Sequence, residues 1–282
     1  MLVNMKDMLN KAKLGKYAVA QFNINNLEWT RFILEECQSN NSPVILGVSE
    51  GAAKYMGGYK TVADMVKNLV EYLNITVPVC LHLDHGSSFD VCKSAIDSGF
   101  TSVMIDASKY DISKNIEITK EVVKYSQKFN VTVEGEVGHV GSDKNPGNEG
   151  IIYAEVSDCV KYCEETGIDF LAPALGSVHG LYKGEPNLNY DRMLEISKIT
   201  NLPLVLHGGT GIDDEKIKQA ISCGISKINI NTELQIAWSG AVKERINCDN
   251  LYDPRKIIKL GEEALKTCVR NKIVLLGSNN KA

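Results

Sequence analysis

The 282-residue chain carries 31 lysines and arginines against 35 aspartates and glutamates, a formal net charge of −4, and 44% of its residues are hydrophobic. This composition can bury a large core and excludes an intrinsically disordered chain. The scattered lysines lack the basic footprint of a nucleic-acid-binding protein, so we expect no nucleic-acid partner. The polar N-terminus does not resemble a signal peptide, and no apolar run approaches the roughly 20 residues that span a bilayer, so we expect no membrane association.

The eight cysteines lie in helix-like and strand-like segments without CxxC pairs. This usage is typical of reduced thiols and predicts a cytoplasmic protein. Cys159 and Cys163 have the spacing of one helical face. For them packing is favoured over metal binding, because zinc sites use other spacings.

Short β-rich runs recur at intervals that suit a strand followed by a helix. Eight runs fit this pattern, at residues 17–22, 43–48, 78–84, 101–106, 131–136, 169–175, 203–207 and 227–231. Amphipathic segments predict helices at residues 61–73, 115–129, 156–166 and 213–223, with more helix from residue 233 and over 253–269. Eight βα units predict an α/β protein with a (β/α)8 TIM barrel, a single domain over residues 1–282 with extra C-terminal helices. An open doubly wound sheet, which usually has fewer strands, is the alternative.

The segment at residues 138–150, GHVGSDKNPGNEG, is too polar and too rich in glycine to form a helix or a strand. It is also long for a loop between a strand and a helix. We therefore predict a mobile lid at this place.

Polar residues accumulate at the predicted C-terminal ends of the strands, where barrel enzymes hold their active sites. Strand alternation puts His82 with Asp84, Glu134 with Glu136, and Asn229 with Asn231 on faces that point into the mouth of the barrel, opposite apolar neighbours such as Leu81 and Leu83 or Ile228 and Ile230. Charges buried there cost free energy unless they pair, bind a metal or transfer protons.

Three histidines near different strand ends, His85, His179 and His207, match a catalytic zinc site with three imidazole ligands and one open position. Such a metal acts as a Lewis acid, and Asp84 is then the candidate proton-transfer group. An alternative role for Asp84 is to orient a histidine ligand.

Asp106 and Glu136 are predicted to hold a second divalent cation, unless they pair with an inward lysine such as Lys227. His82 and His139 are assigned to the surroundings of the metal site and to the loop, respectively.

The glycine-rich turn at residues 207–211, HGGTG, follows the seventh predicted strand and precedes a helix. Its backbone amides can bind an anion, and Thr232 after the eighth strand lies where barrels commonly hold phosphate. An ordinary flexible turn is the alternative interpretation.

Several long motifs occur together and in order across nearly the whole chain: HLDHGSSFDVCKSAIDSGFTSVMIDAS, ALGSVHGLYKGEPNL, HGGTG and NINTE. With them the chain resembles the class II, metal-dependent fructose-bisphosphate and tagatose-bisphosphate aldolases. The resemblance implies Zn2+ on His85, His179 and His207, a second metal position at Asp106 and Glu136, and Asp84 as the proton donor. It implies that dihydroxyacetone phosphate is held by Gly180, Gly208, Gly209, Thr210, Asn229, Ile230, Asn231 and Thr232, with Asn229 near the enediolate.

Two further positions carry over from the family. Lys183 lies in a loop that helps to bind a monovalent cation or phosphate, and Ser49 lies near the sugar hydroxyls. Asn231 favours fructose 1,6-bisphosphate over tagatose 1,6-bisphosphate, because tagatose-type relatives tend to have a small residue there. The loop at 138–150 departs from the acid-rich loop of the family, and Glu149 is a poor match for a catalytic acid.

The resemblance implies reversible cleavage of a phosphorylated ketose in glycolysis by a homo-oligomer, a dimer or a tetramer. Three other functions are weighed against it: a Schiff-base aldolase, a metal-dependent barrel hydrolase and a sugar-phosphate-binding protein without activity. The hydrolase lacks support because strand one offers Gln21, Phe22 and Asn23 instead of a histidine pair.

Overall fold

The computed structural model describes residues 2–142, 153–180, 182, 184, 186–246 and 251–282. Within these residues the strands are β1 (Val19–Asn23), β2 (Val44–Ser49), β3 (Val79–Gly86), β4 (Ser102–Ile105), β5 (Thr132–Val137), β6 (Gly141–Ser142), β7 (Phe170–Pro173), β8 (Val178–His179), β9 (Leu204–Leu206) and β10 (Ile225–Ile230). The helices are α1 (Lys6–Gly15), α2 (Leu27–Ser39), α3 (Glu50–Tyr55), α4 (Tyr59–Tyr72), α5 (Phe89–Ser98), α6 (Ile112–Ser126), α7 (Val156–Thr166), α8 (Tyr190–Thr200), α9 (Asp214–Ser222), α10 (Thr232–Ile246), α11 (Pro254–Lys259) and α12 (Glu262–Leu276).

Eight of these strands form a closed parallel barrel in the order β1-β10-β9-β7-β5-β4-β3-β2. Helices follow the strands and cover the outside, so the predicted TIM barrel is confirmed and the doubly wound sheet is excluded. The short strands β6 and β8 pair with each other outside the barrel and join the loop after β5 to the loop after β7.

The barrel interior is apolar at one end and polar at the other. At the N-terminal end, inward side chains such as Ile45 and Phe170 pack against Met5 and Leu9. Met5 directly precedes α1, and Leu9 lies in it. Helix α1, which the strand pattern did not predict, therefore closes this end. The polar strand ends are left at the opposite, C-terminal mouth.

The helices begin and end where local sequence signals place them. Helix α7 occupies the predicted range 156–166, and Asp213 caps α9 by accepting a hydrogen bond from the amide of Glu215. The predicted helix over 253–269 is instead divided into α11 and α12. The division falls at Gly261, where a Cβ atom would lie 2.1 Å from the indole ring of Trp238, so no larger residue fits.

The cysteine pair of α7 packs in the protein core, as expected. Cys159 is buried, and Cys163 is half-buried against the same hydrophobic cluster. Neither belongs to a group of side chains in the described residues that could hold a metal. Among all the helices that the structure describes, none has both the length and the apolar character needed to cross a membrane.

Candidate active site

Three histidines from separate elements meet at the C-terminal mouth of the barrel. His85 lies near the end of β3, His179 in β8, and His207 directly after β9. One ring nitrogen from each lies within 4.8 Å of the other two. The structure thus brings together the three predicted metal ligands.

His85 reaches this group through an irregularity in β3. Regular alternation would turn it away from the face that carries Asp84. However, the pairing of β3 with β4 shifts between Leu83 and Gly86, and His85 adopts a left-handed backbone conformation with φ 53°. This bulge turns both neighbouring side chains, Asp84 and His85, into the mouth.

Carboxylates behind two of the histidines orient their rings. His85 Nδ1 lies 2.8 Å from Asp106 Oδ2, and His207 Nε2 lies 3.0 Å from Glu134 Oε1. The other two ring nitrogens, His85 Nε2 and His207 Nδ1, lie 3.1 Å apart. Zinc–nitrogen bonds of about 2.0–2.1 Å at a tetrahedral angle separate two ligand nitrogens by about 3.3 Å, so this arrangement fits a metal ion.

The charges around the histidines differ from ring to ring. Burial, followed by the neighbouring His85 and His207, lowers the pKa of His179 to about 3, which leaves a neutral ligand. Burial also lowers the pKa of His85, but the hydrogen bond to Asp106 and the nearby Asp84 and Glu136 carboxylates outweigh it and raise that pKa to about 10. In the metal-free protein His85 is therefore protonated, and a metal would displace this proton.

Asp84 lies beside the histidines, at the end of the same strand. Its Oδ2 accepts a hydrogen bond from Asn23 at 2.8 Å, and its Oδ1 accepts one from Asn229 at 3.2 Å. Burial alone would raise the pKa of the carboxyl, but His85, His207 and other neighbours hold it well below its usual range. The carboxylate is therefore ionised, and its oxygens carry the lone pairs that a proton acceptor needs.

Glu136 has a buried oxygen without a hydrogen bond from the described residues. Its Oε1 accepts a hydrogen bond from the Val140 amide, whereas its Oε2 has only a contact of 3.9 Å with His85 Nδ1. Burial and the neighbouring Asp106 raise the pKa of Glu136 to about 8. Lys227 pairs with Glu134 instead, so the predicted alternative of an ion pair with Glu136 is wrong. Ligand atoms of Glu136, Asp106 and His85 form a second group that could hold a metal.

These residues surround one cavity of about 460 Å³. It is lined by Asn23, Ser49, Asp84, His85, Asp106, Glu136, His139, Val140, His179, Gly180, Gly208, Thr210, Asn229, Asn231 and Thr232. Most of the residues that are predicted to bind substrate therefore line one cavity. Gly209 and Ile230 lie behind the wall, where a Cβ atom at Gly209 would come 3.3 Å from the Ile230 side chain.

The glycine-rich turn adopts a conformation that requires glycine. Gly208 has φ 67°, and a Cβ atom there would lie 2.1 Å from the carbonyl oxygen of Val178. The turn does precede α9, but the capping Asp213 and two acidic residues in its first turn disfavour an anion at that helix. Instead the turn contacts α10, because Thr210 Oγ1 accepts from the amide of Glu233 at 3.4 Å. An anion in the cavity would therefore meet the N-terminus of α10.

A model of the family described as class-II fructose-bisphosphate aldolase matches residues 3–281. The chain is 59% identical over 283 residues to a fructose-bisphosphate aldolase of Geobacillus stearothermophilus, with 100% of this chain and 99% of the relative covered. It belongs to the class-II fructose-bisphosphate aldolase family. A fructose-bisphosphate aldolase of Staphylococcus epidermidis is 56% identical with the same coverage.

Solved structures agree with this family. The YdjI aldolase of Escherichia coli K12 matches with a TM-score of 0.89 and 35% identity, covering 100% of both chains. A fructose-bisphosphate aldolase of Campylobacter jejuni has a TM-score of 0.86 at 24% identity, covering 99% of this chain and 95% of its own, and shows the fold alone. As a class II aldolase, the protein is a metal-dependent carbon–carbon lyase that acts on a phosphorylated sugar.

Some aldolase site residues were missed from the sequence, and others lie outside the described residues. Asn23 and Ser108 were missed, although Asn23 ends β1 and Ser108 follows β4, where polar residues gather. Ser108 donates to Asp106 at 2.7 Å and contacts His139 at 3.0 Å, which ties the start of the predicted lid to the site. Lys183 and Glu149 are not among the described residues, nor is most of the predicted lid.

Proposed function

We propose that this aldolase reversibly cleaves fructose 1,6-bisphosphate into dihydroxyacetone phosphate and glyceraldehyde 3-phosphate, with Zn2+ on His85, His179 and His207. One observation carries the proposal: His85, His179, Asp84 and two residues of the glycine-rich turn, Gly208 and Thr210, line one cavity, and a ring nitrogen of His207 lies within 4.8 Å of those of the other two histidines. The names of relatives at 56–59% identity support the substrate.

In this proposal Asp84 moves the hydroxyl proton. In the cleavage direction its carboxylate accepts the proton from the hydroxyl of the carbon that becomes the aldehyde. The electron pair of the broken carbon–carbon bond then remains on the fragment with the carbonyl group. When bound, the metal stabilises the negative charge of that fragment as a Lewis acid. Asn23 and Asn229 hold Asp84 in place through hydrogen bonds of 2.8 and 3.2 Å.

The phosphate of the dihydroxyacetone half is proposed to lie between the turn at Gly208–Thr210 and the N-terminus of α10. Backbone amides of Gly180, Gly208, Gly209 and Thr210 and the segment from Asn229 to Thr232 are the proposed contacts. The Gly209 amide already donates to the Asn229 carbonyl at 3.3 Å. We therefore expect it to position the turn more than to bind phosphate.

The fructose epimer is proposed over the tagatose epimer because of Asn231, which lines the cavity. Its Oδ1 accepts a hydrogen bond from Gln235 at 3.2 Å, which holds the amide near the site. Tagatose 1,6-bisphosphate is the alternative substrate. Ser49, which caps α3 at the cavity wall, is the proposed contact for the sugar hydroxyls.

The remaining parts of the proposal concern ions and setting. Asp106 and Glu136 would hold a second divalent cation or an alternate metal position, supported by the Glu136 oxygen that has no hydrogen bond from the described residues. The loop that contains Lys183 would help to bind a monovalent cation or phosphate. From the family we propose a homo-oligomer, a dimer or a tetramer, that serves glycolysis in the cytoplasm. The cysteines in the described part of the chain have free thiols, which suit that compartment.

The test is a coupled cleavage assay on both bisphosphate epimers, before and after EDTA treatment and with zinc added back. Zinc-restored activity that favours the fructose epimer is the expected result. A preference for the tagatose epimer would overturn the role of Asn231, and activity that ignores EDTA would overturn the metal site.

The same assay separates the other functions that were weighed. A Schiff-base aldolase would be trapped by borohydride in the presence of substrate. No lysine occurs among the described residues that line the cavity, and Lys227 is buried in an ion pair, so we expect no trapping. A protein that only binds sugar phosphates would show no turnover under any of these conditions.

A further inference from the structure

A fully buried ion pair lies directly beneath the proposed metal site, and the proposed reaction does not use it. Glu134 and Lys227 each have 0% of their surface exposed. Lys227 Nζ donates to Glu134 Oε2 at 2.7 Å, and the other oxygen, Oε1, accepts from His207 Nε2 at 3.0 Å. One carboxylate thus joins a lysine of β10 to a histidine that follows β9.

We infer that the Glu134–Lys227 pair is a positioning device that holds the proton of His207 on Nε2 and keeps Nδ1 free for the metal. The inference rests on the proposed metal site and adds residues that do not touch the metal or the substrate. An ionised carboxylate can only accept hydrogen bonds, so the nitrogen that faces Glu134 must carry the proton. A neutral imidazole has one such proton, and Nδ1 therefore presents its lone pair.

The contacts of Nδ1 support the same tautomer independently. Asn229 Nδ2 lies 3.1 Å from His207 Nδ1. The same amide nitrogen lies 3.2 Å from a carboxylate oxygen of Asp84, which identifies it as the donor end of the Asn229 side chain. His207 is therefore held from both sides, with a donor facing Nδ1 and an acceptor facing Nε2.

Lys227 has a separate part in this arrangement. A lone carboxylate buried at this depth would be costly, and the ammonium group supplies the opposite charge inside the barrel. It also occupies Oε2, which leaves Oε1 for His207. The nearby His82 does not replace it, because His82 Nε2 lies 3.7 Å from Oε2 and makes no hydrogen bond.

The first test measures the tautomer of His207 directly. It needs only one variant, which serves to assign the NMR signal. Long-range 1H–15N NMR of the metal-free full chain distinguishes the two tautomers of each histidine, and His207→Asn identifies the His207 signal. We expect the proton of His207 on Nε2. A proton on Nδ1 would overturn the inference.

The second test measures zinc affinity by competition with a colorimetric chelator. The double variant Glu134→Gln/Lys227→Met removes both buried charges together, so neither is left unpaired. Loss of such an outer partner typically weakens metal binding about 10- to 100-fold, and we expect an increase in the zinc Kd within this range. Glu134→Asp keeps the charge but shortens the side chain, and we expect it to raise the zinc Kd as well.

A matched control pair lies far from the site. Arg270 donates to Glu36 at 2.7 Å between α12 and α2, and we expect Glu36→Gln/Arg270→Met to leave the zinc Kd unchanged even where it lowers stability. If folded Glu134 variants bind zinc within about twofold of the unmodified protein, the inference is wrong, since outer partners shift metal affinity by more than this. If the unmodified protein binds no zinc, the proposed function fails instead.

Discussion

His85, a proposed metal ligand, has a backbone conformation that non-glycine residues seldom adopt, with φ 53°. Such conformations persist where the surroundings enforce them, and they cluster at functional sites. Here the ring is held by Asp106, and the strand is held by its pairing with β4. This conformation costs free energy. It lets two adjacent residues face the same cavity: Asp84, the proposed proton-transfer group, and His85, a proposed metal ligand.

Replacement of Asp84 by asparagine tests the proton-transfer role. The amide keeps the size of the side chain but cannot accept the hydroxyl proton, so we expect kcat to fall about 10²- to 10⁴-fold. Zinc binding should persist, because Asp84 is not part of the ligand groups. Steady-state kinetics and metal analysis of the purified variant measure both quantities.

A second aspartate provides the control for this substitution. Asp64 lies on the exposed side of α4 and pairs with Lys60, so Asp64→Asn should leave kcat unchanged. A loss in Asp84→Asn of less than about tenfold with zinc still bound would fall below the usual contribution of a general base. Asp84 would then serve only to orient its neighbours.

The bulge of β3 leaves no space for a side chain at Gly86. A Cβ atom there would lie 2.7 Å from the carbonyl oxygen of Met104 and 2.8 Å from Cys92 Sγ. Gly86→Ala should push β3 away from β4 and displace His85. We expect a loss of about 1–3 kcal/mol in the free energy of unfolding, together with weaker zinc binding. Urea denaturation and a zinc titration measure the two effects.

Another glycine separates this effect from the general effect of the substitution. Gly240 lies in α10, and no atom of the described residues lies within 4 Å of a Cβ atom placed there. Gly240→Ala should stabilise the helix by roughly 0.5–1 kcal/mol and leave zinc binding unchanged. Equal zinc affinities for the two alanine variants would show that the bulge does not position His85.

The burial of His82 in β3 predicts how the stability of the protein depends on pH. Burial lowers the pKa of His82 to about 3, compared with about 6.5 for an unfolded histidine. Between these two values the unfolded chain binds the extra proton, so this histidine contributes stability above pH 6.5 that is lost as the pH falls.

His82→Gln removes this titration and keeps a donor for Ser102, which contacts His82 Nδ1 at 2.9 Å. In the presence of a chelator, we expect the free energy of unfolding of the unmodified protein to fall more steeply than that of the variant. The difference should approach about 1.4 kcal/mol per pH unit below pH 6. Parallel curves from urea denaturation at several pH values would mean that His82 is not buried in its neutral form.

The strands were the most predictable elements because a short β-rich run recurs in every βα unit, as expected for parallel strands that are buried on both faces. Local irregularity was less predictable. Alternation alone faces His85 outward, and only the shifted register of β3 turns it inward. Helix α1 was missed because its apolar residues pack inside the barrel end, a tertiary contact without a local signal. The sequence predicted a helix directly after the glycine-rich turn, and α9 lies there, but it did not predict the contact of the turn with α10, because α10 approaches the turn only in space.

The whole molecule links metal binding to folding. The ligands come from β3, β8 and the segment after β9, which are distant in sequence and meet only when the barrel closes. The histidine motifs could therefore be matched to a family from sequence, but their distances could not. An unfolded chain does not present such a site, so a metal that binds the folded state shifts the folding equilibrium towards it.

Zinc should therefore stabilise the entire chain, and the extent should depend on the complete ligand set. At free zinc about 100-fold above the Kd, we expect a gain of about 2.7 kcal/mol in the free energy of unfolding. His179→Ala removes one ligand and should lose most of this gain. His139→Ala is the matched control, since His139 lines the same cavity but lies outside the histidine ligand group. Thermal unfolding with and without zinc would contradict the site if both variants kept the full gain, because zinc would then bind elsewhere.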